Sequence, residues 1–157
     1  MAHELIKLTS KLCNTPQLIT RESFETIFEY LDSRNLGMYR DDDNDKSGRT
    51  RFNYNEDCQV ATMFIEGVTT YKPVTYWGMD CGGFSYEQWK EDFQYLAESG
   101  VKTVAFLQDS GGGEAHGLFD SAKYVRALAD EYGVHLISFV DGLSASASYA
   151  ISSMRIS

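Results

Sequence analysis

Basic residues are scarce in this chain: 14 Lys and Arg stand against 23 Asp and Glu, a formal net charge of −9. No basic stripe runs along it, and gripping a phosphate backbone needs clustered Lys and Arg, so no nucleic acid is expected as a partner. Long apolar runs are missing as well. No stretch approaches the roughly 20 apolar residues of a membrane span, and residues 1–12 alternate charged with apolar side chains instead of forming a signal peptide. The expectation is a cytoplasmic protein with no membrane contact. Cysteine is limited to Cys13, Cys58 and Cys81, an odd number without metal-ligand spacing. These read as free thiols in a reducing compartment, with neither disulfides nor a metal site.

What is present suffices for one domain with its own core: 157 residues, 43% apolar and 13% aromatic. Residues 1–40 form a helical segment, with a short helix over 5–12 and a better one over 21–35. Thr20 caps the second helix, Glu22 and Glu25 suit its first turns, and Phe24, Ile27, Phe28 and Leu31 recur at helical spacing. Residues 41–58 read as an acidic polar linker, the stretch 40–55 being an exposed loop. Within it Asp43-Asn44-Asp45-Lys46-Ser47-Gly48 copies the first half of a calcium loop, but the twelfth position falls on Tyr54 where a bidentate Glu is required, so no calcium site is expected.

From residue 59 the pattern becomes strand, turn, helix, repeated. A strand over 60–68 is followed by an irregular stretch over 69–83, whose Tyr71, Tyr76 and Trp77 suit packing better than a peptide groove. Then come a helix over 85–98 with Tyr86, Trp89, Phe93 and Leu96 inward, a strand over 103–108, a helix over 114–132 and a strand over 134–140. Strands alternating with helices give an α/β fold with parallel pairing and right-handed crossovers.

Two strand-to-helix turns carry the chemistry. After the β-branched and aromatic run 134–140, Asp141-Gly142-Leu143-Ser144-Ala145-Ser146-Ala147-Ser148-Tyr149 leaves a small hydroxyl residue at the start of an alanine-rich helix, where free N–H groups favour developing negative charge. One strand earlier, Asp109-Ser110-Gly111-Gly112-Gly113-Glu114 is a turn whose bare backbone can donate hydrogen bonds to an oxyanion. A serine on one turn and amides on the other suit acyl transfer.

This pair of motifs resembles the signal peptide peptidase A family of serine peptidases, and more closely its bacteriophage branch, which matures the capsid during head assembly. The likeness runs from about residue 60 to 153, and Leu12-Cys13-Asn14-Thr15-Pro16 followed by a helix is similar to the start of phage members. The family sets its nucleophile three positions before a tyrosine, which here selects Ser146, with Ser144 and Ser148 as neighbours. The resemblance implies a partial crotonase- or Clp-like ββα superhelix over residues 59–157, with an oxyanion held by the N–H of Gly112 or Gly113 and a second donor near Ala147. Where the family usually has Ser-Pro-Gly-Gly, this chain has Ser110-Gly111-Gly112-Gly113, keeping both glycines.

These enzymes use a Ser-Lys dyad with the lysine beyond the serine, and no lysine follows Ser146. The resemblance therefore implies the front part of a peptidase domain, with little or no activity by itself. Clp-type proteases place a histidine after the serine, and none follows Ser146 here. His116, just after the glycines, is the local alternative as base; His135 begins a strand at its solvent end. The implied activity is that of an endopeptidase acting through an acyl-enzyme on scaffold or capsid protein during phage prohead maturation, in a homo-oligomer and without a cofactor. Two further readings are a non-catalytic role in capsid assembly and a crotonase-type acyl-CoA enzyme, a class that uses carboxylates where this turn has serine.

Overall fold

A computed structural model of the protein describes residues 16–22, 24–25, 28–29, 50–73, 75–76, 79–80 and 83–154. In chain order the strands are β1 (Gln17–Ile19), β2 (Phe52–Asn55), β3 (Val60–Thr70), β4 (Thr75–Tyr76), β5 (Met79–Asp80), β6 (Phe84–Ser85), β7 (Thr103–Glu114) and β8 (His135–Ser144). The helices are α1 (Tyr86–Glu98), α2 (Leu118–Tyr132) and α3 (Ala147–Ser153). Residues 21, 22, 24, 25, 28 and 29 are also helical, with Phe24 and Phe28 stacked at 6.3 Å between ring centroids.

Alternate side chains of a strand face opposite ways, and the apolar ones choose the covered face. Ala61, Met63 and Ile65 of β3, Val104 and Phe106 of β7 and Leu136 of β8 are buried on that rule. β3, β7 and β8 pair in parallel, from Val60↔Thr103 to Thr69↔Gly113 and from Thr103↔His135 to Ser110↔Ser144. β2 lies antiparallel on β3, β6 pairs with the end of β3, and β1 lies antiparallel on the end of β7, completing a six-stranded mixed sheet. β4 and β5 form a separate hairpin.

α1 begins at Ser85, whose side chain accepts the Gln88 N–H, and it turns Trp89, Phe93 and Leu96 into the core. Trp89 meets Phe106 edge to face at 5.8 Å. α2 packs against α1, contributes Leu118, Val125 and Ala129, and ends at Gly133 in the left-handed conformation, whose N–H returns to the Ala129 carbonyl. Ala147 and Ile151 of α3 close the same core.

The α/β architecture with parallel central strands agrees with the alternating pattern in the sequence, and four local expectations need correction. The glycines at 111–113 do not turn the chain: β7 runs on through Glu114 after a register shift at 108–110. At Gly113 an added Cβ would overlap the Thr69 backbone, so the glycines serve a close approach of strands instead of a turn. The following helix accordingly starts at Leu118 and not near 114. β8 likewise stays in the sheet as far as Ser144, past the Asp141-Gly142 at which the strand was expected to stop. Finally, the end of the expected loop over 40–55 contains β2, because Phe52 and Tyr54 pack on the core beside β3.

The expected helix at 5–12, the end of the 21–35 helix, the calcium-like loop at 43–48, Cys13, Cys81 and Trp77 lie outside the described residues. Cys58 is an exposed free thiol. Among the described residues, no helix is long and apolar enough to cross a membrane, and no group of His, Cys, Asp and Glu is placed to hold a metal ion.

Candidate active site

Ser146 lies between β8 and α3 with φ 56° and ψ −116°. Side chains beyond glycine enter that region of backbone space at a cost of about 1–3 kcal/mol, and a serine held there at a strand-to-helix turn is the geometry of a nucleophile elbow. The turn is tied at both ends: Ala145 N–H donates to the Ser110 carbonyl at 3.2 Å, and the Ala145 carbonyl accepts from Ser148 at 3.1 Å and Tyr149 at 3.4 Å. The Ser146 carbonyl accepts the Ala150 N–H at 3.0 Å. Ala147, first residue of α3, brings one of the N–H groups that a helix start leaves without an intrahelical acceptor.

β7 lies beneath this turn. An added Cβ on Gly112, at φ 94°, would sit 2.9 Å from Ser146 Cβ and 2.9 Å from Ala147 N, and would also overlap the Leu18 carbonyl oxygen. The missing side chain is thus what allows the serine, the Ala147 amide and β1 to crowd one point. The Gly112 N–H donates to Ser110 Oγ at 3.2 Å, while that hydroxyl donates to the Gly67 carbonyl at 2.5 Å. Gly113 is opposite Leu18 in the antiparallel ladder. With Thr20 N–H donating to Gly111 at 3.0 Å and Ala115 N–H donating to Pro16 at 3.1 Å, the alternation of the ladder makes Leu18 and Gly113 the hydrogen-bonded pair between them. On that pairing the Gly113 N–H faces the Leu18 carbonyl, the Gly112 amide is taken up by Ser110, and the Ala147 amide adjoins Ser146 beside Gly112.

The structure brings Ser146, Gly112, Gly113 and Ala147 together but not His116. That imidazole is exposed and stands edge to face on the Tyr71 ring at 5.0 Å. Among the described residues, no histidine or lysine hydrogen-bonds Ser146 Oγ, and His135 is exposed at the start of β8. Tyr71 is a packing residue as expected, half-buried against the core.

Sequence reasoning missed the polar support behind the elbow. Gln108, fully buried, accepts from Ser144 Oγ and Ser152 Oγ at 2.5 Å each and from Ser148 Oγ at 3.4 Å. The signal was available: Gln108 occupies the inward phase of Val104 and Phe106, and Ser144, Ser148 and Ser152 recur every fourth residue. Asp109 accepts the Leu143 N–H at 3.1 Å and fills the space a side chain would take on Gly142. Buried Glu114 accepts the Tyr71 N–H at 2.9 Å through its carboxylate and the Tyr86 hydroxyl at 2.7 Å through its carbonyl. Burial, reinforced by the Glu114 charge and opposed by the Thr69 hydrogen bond, pushes the Tyr86 phenol up to about 12. These bonds pin the end of β7 to α1 and to the segment after β3, and so hold the glycines in place.

Comparison with family models, with curated proteins and with solved structures returned no significant match for the chain.

Proposed function

We propose that this chain carries the nucleophile and oxyanion site of a serine endopeptidase of the signal peptide peptidase A-like type, of crotonase- or Clp-like architecture, acting on scaffold or capsid protein in phage prohead maturation. The observation that carries this reading is the backbone of Ser146: a strained serine at a strand-to-helix turn, facing a glycine strand. Ser146 Oγ attacks the scissile carbonyl carbon and passes its proton to the lysine amine of the dyad, which arrives from beyond the described residues. The amides of Gly113 and Ala147 hold the oxyanion, each such donor accounting for about 100-fold in rate or more. Collapse expels the new amine terminus with that proton and leaves an ester on Ser146, which water hydrolyses.

The test is reaction with a fluorophosphonate probe, located by mass spectrometry, in the protein and in Ser146→Ala. It is run with and without a small primary amine to stand in for the lysine. An adduct confined to Ser146 and strengthened by the amine is expected. No adduct under either condition, or adducts spread over other serines, sinks the reading.

A non-catalytic role in assembly is favoured by one observation. β8 pairs only with β7 among the described strands, and its outer part exposes Phe139 by 56%, Val140 by 57% and Leu143 by 43%, with Tyr149 63% exposed nearby. An open edge with apolar side chains suits pairing with another chain. Full retention of particle assembly by Ser146→Ala would support that role over catalysis.

A further inference from the structure

We propose that β1 holds, from within the chain, the place of a bound peptide. On this assignment the cleft beside Ser146 takes an extended polypeptide strand antiparallel to the end of β7, with an aliphatic side chain in the position of Leu18. The chemistry of the cleft rests on the peptidase reading above; the binding geometry does not.

The ladder is the first ground. β1 pairs with β7 only where β8 has left it, Ile19↔Gly112, Leu18↔Gly113 and Gln17↔Glu114, two residues beyond the last β7–β8 pair at Ser110↔Ser144 and the register shift there. The flanking bonds, Thr20 N–H to the Gly111 carbonyl at 3.0 Å and Ala115 N–H to the Pro16 carbonyl at 3.1 Å, join main chain to main chain. Such bonds take any extended segment, and alternate side chains supply the selectivity. The second ground is the position of one carbonyl. The Leu18 oxygen, Ser146 Cβ and Ala147 N crowd the same point beside Gly112, and the Leu18 oxygen faces the Gly113 amide. A carbonyl that meets a backbone amide beside a serine stands where the reacting carbonyl of the proposed peptidase would stand. The third is the Leu18 side chain, which packs on the edge of the core and so defines an apolar subsite. A strand of three residues at a sheet end is short enough for a competing segment to displace.

The experiment follows a fluorescein-labelled peptide of residues 15–21, Thr-Pro-Gln-Leu-Ile-Thr-Arg, by anisotropy against the full chain and its Thr20→Pro variant. The substitution deletes the Thr20 N–H that bonds Gly111 and leaves the core untouched. The variant is expected to bind the peptide about tenfold more tightly than the parent, the effect of weakening the internal competitor by one backbone hydrogen bond. A peptide with Asp in place of the leucine is expected to bind about tenfold more weakly. Equal binding by parent and variant, binding by neither, or equal binding of the two peptides overturns the proposal. Leu18→Ala, which keeps every backbone bond, is measured alongside and decides by the same criteria where Thr20→Pro lacks a cooperative thermal transition. Fluorophosphonate labelling of the unsubstituted chain beside the titration separates the two readings. Peptide binding without any probe adduct leaves this proposal standing and removes the peptidase. A Ser146 adduct without peptide binding does the reverse.

Discussion

Replacing Gly112 by alanine adds one methyl group at the point where the serine turn, α3 and β1 meet. Two costs arise. An L residue at φ 94° is strained whatever its surroundings, by about 1–3 kcal/mol. The methyl also lies 2.9 Å from both Ser146 Cβ and Ala147 N and overlaps the Leu18 oxygen. Main-chain atoms cannot change rotamer to make room, and overpacking of this kind costs about another 1–3 kcal/mol. Gly100 supplies the control, since its φ is 85° and nothing lies within 4 Å of its added Cβ. Gly100→Ala therefore meets the strain without the clash. Urea unfolding of the two variants is expected to place Gly112→Ala about 1–3 kcal/mol below Gly100→Ala, a large fraction of a domain's usual stability of about 5–15 kcal/mol. Equal destabilisation by the two substitutions would refute the crowding of Leu18, Ser146 and Ala147 around Gly112, and with it the geometry assigned to the site.

Ser146→Gly relieves the strained backbone and is expected to raise stability by about 1–2 kcal/mol while abolishing the probe adduct; a loss of stability in the urea titration would mean that the turn is not strained. Because burial raises the Tyr86 phenol to about 12, the folded state holds a proton that the unfolded state releases near pH 10. Stability should then fall by about 2–3 kcal/mol as pH rises across that window, and a Tyr86→Phe variant with the same alkaline slope would contradict this. Asp92 is paired with Arg51 at 2.8 Å, yet burial, outweighing the Arg51 charge and hydrogen bond, raises its pKa from the ordinary aspartate value. Its contribution is greatest while protonated and declines as pH rises from the ordinary aspartate value, so Asp92→Asn should flatten that part of the stability profile measured by thermal unfolding. Arg51→Met strands the carboxylate, only 9% exposed, and should lower stability at pH 7 by about 1–3 kcal/mol; an unchanged melting temperature would argue against the pair.

Strands and helices with strong periodicity were legible in the sequence. Trp89, Phe93 and Leu96 repeat at helical spacing and do face the core, and Ala61, Met63 and Ile65 alternate as a strand must. The extent of β7 was not legible. Three consecutive glycines have the composition of a turn, and only the closeness of Thr69 on one side and Leu18 on the other explains why they belong to a strand. β1 was missed for a related reason: three residues beside a proline carry too little pattern, and their pairing with residues nearly a hundred positions later depends on the finished sheet. The role of Gln108 was not read because its serine partners lie far along the chain, at 144, 148 and 152.

The succession β3, α1, β7, α2, β8, the inward faces of α1 and β3, and the placing of a small hydroxyl residue where β8 gives way to α3 were determined by the sequence alone, since each depends on side chains within a turn or two of one another. Tertiary structure decided the rest. The backbone angles of Ser146, the pairing of Gly113 with Leu18, and the Leu18 carbonyl lodged near Ser146 and Ala147 all require β1, β7 and β8 to converge. Local preference opposes a serine at positive φ, so contacts from three distant segments hold it there.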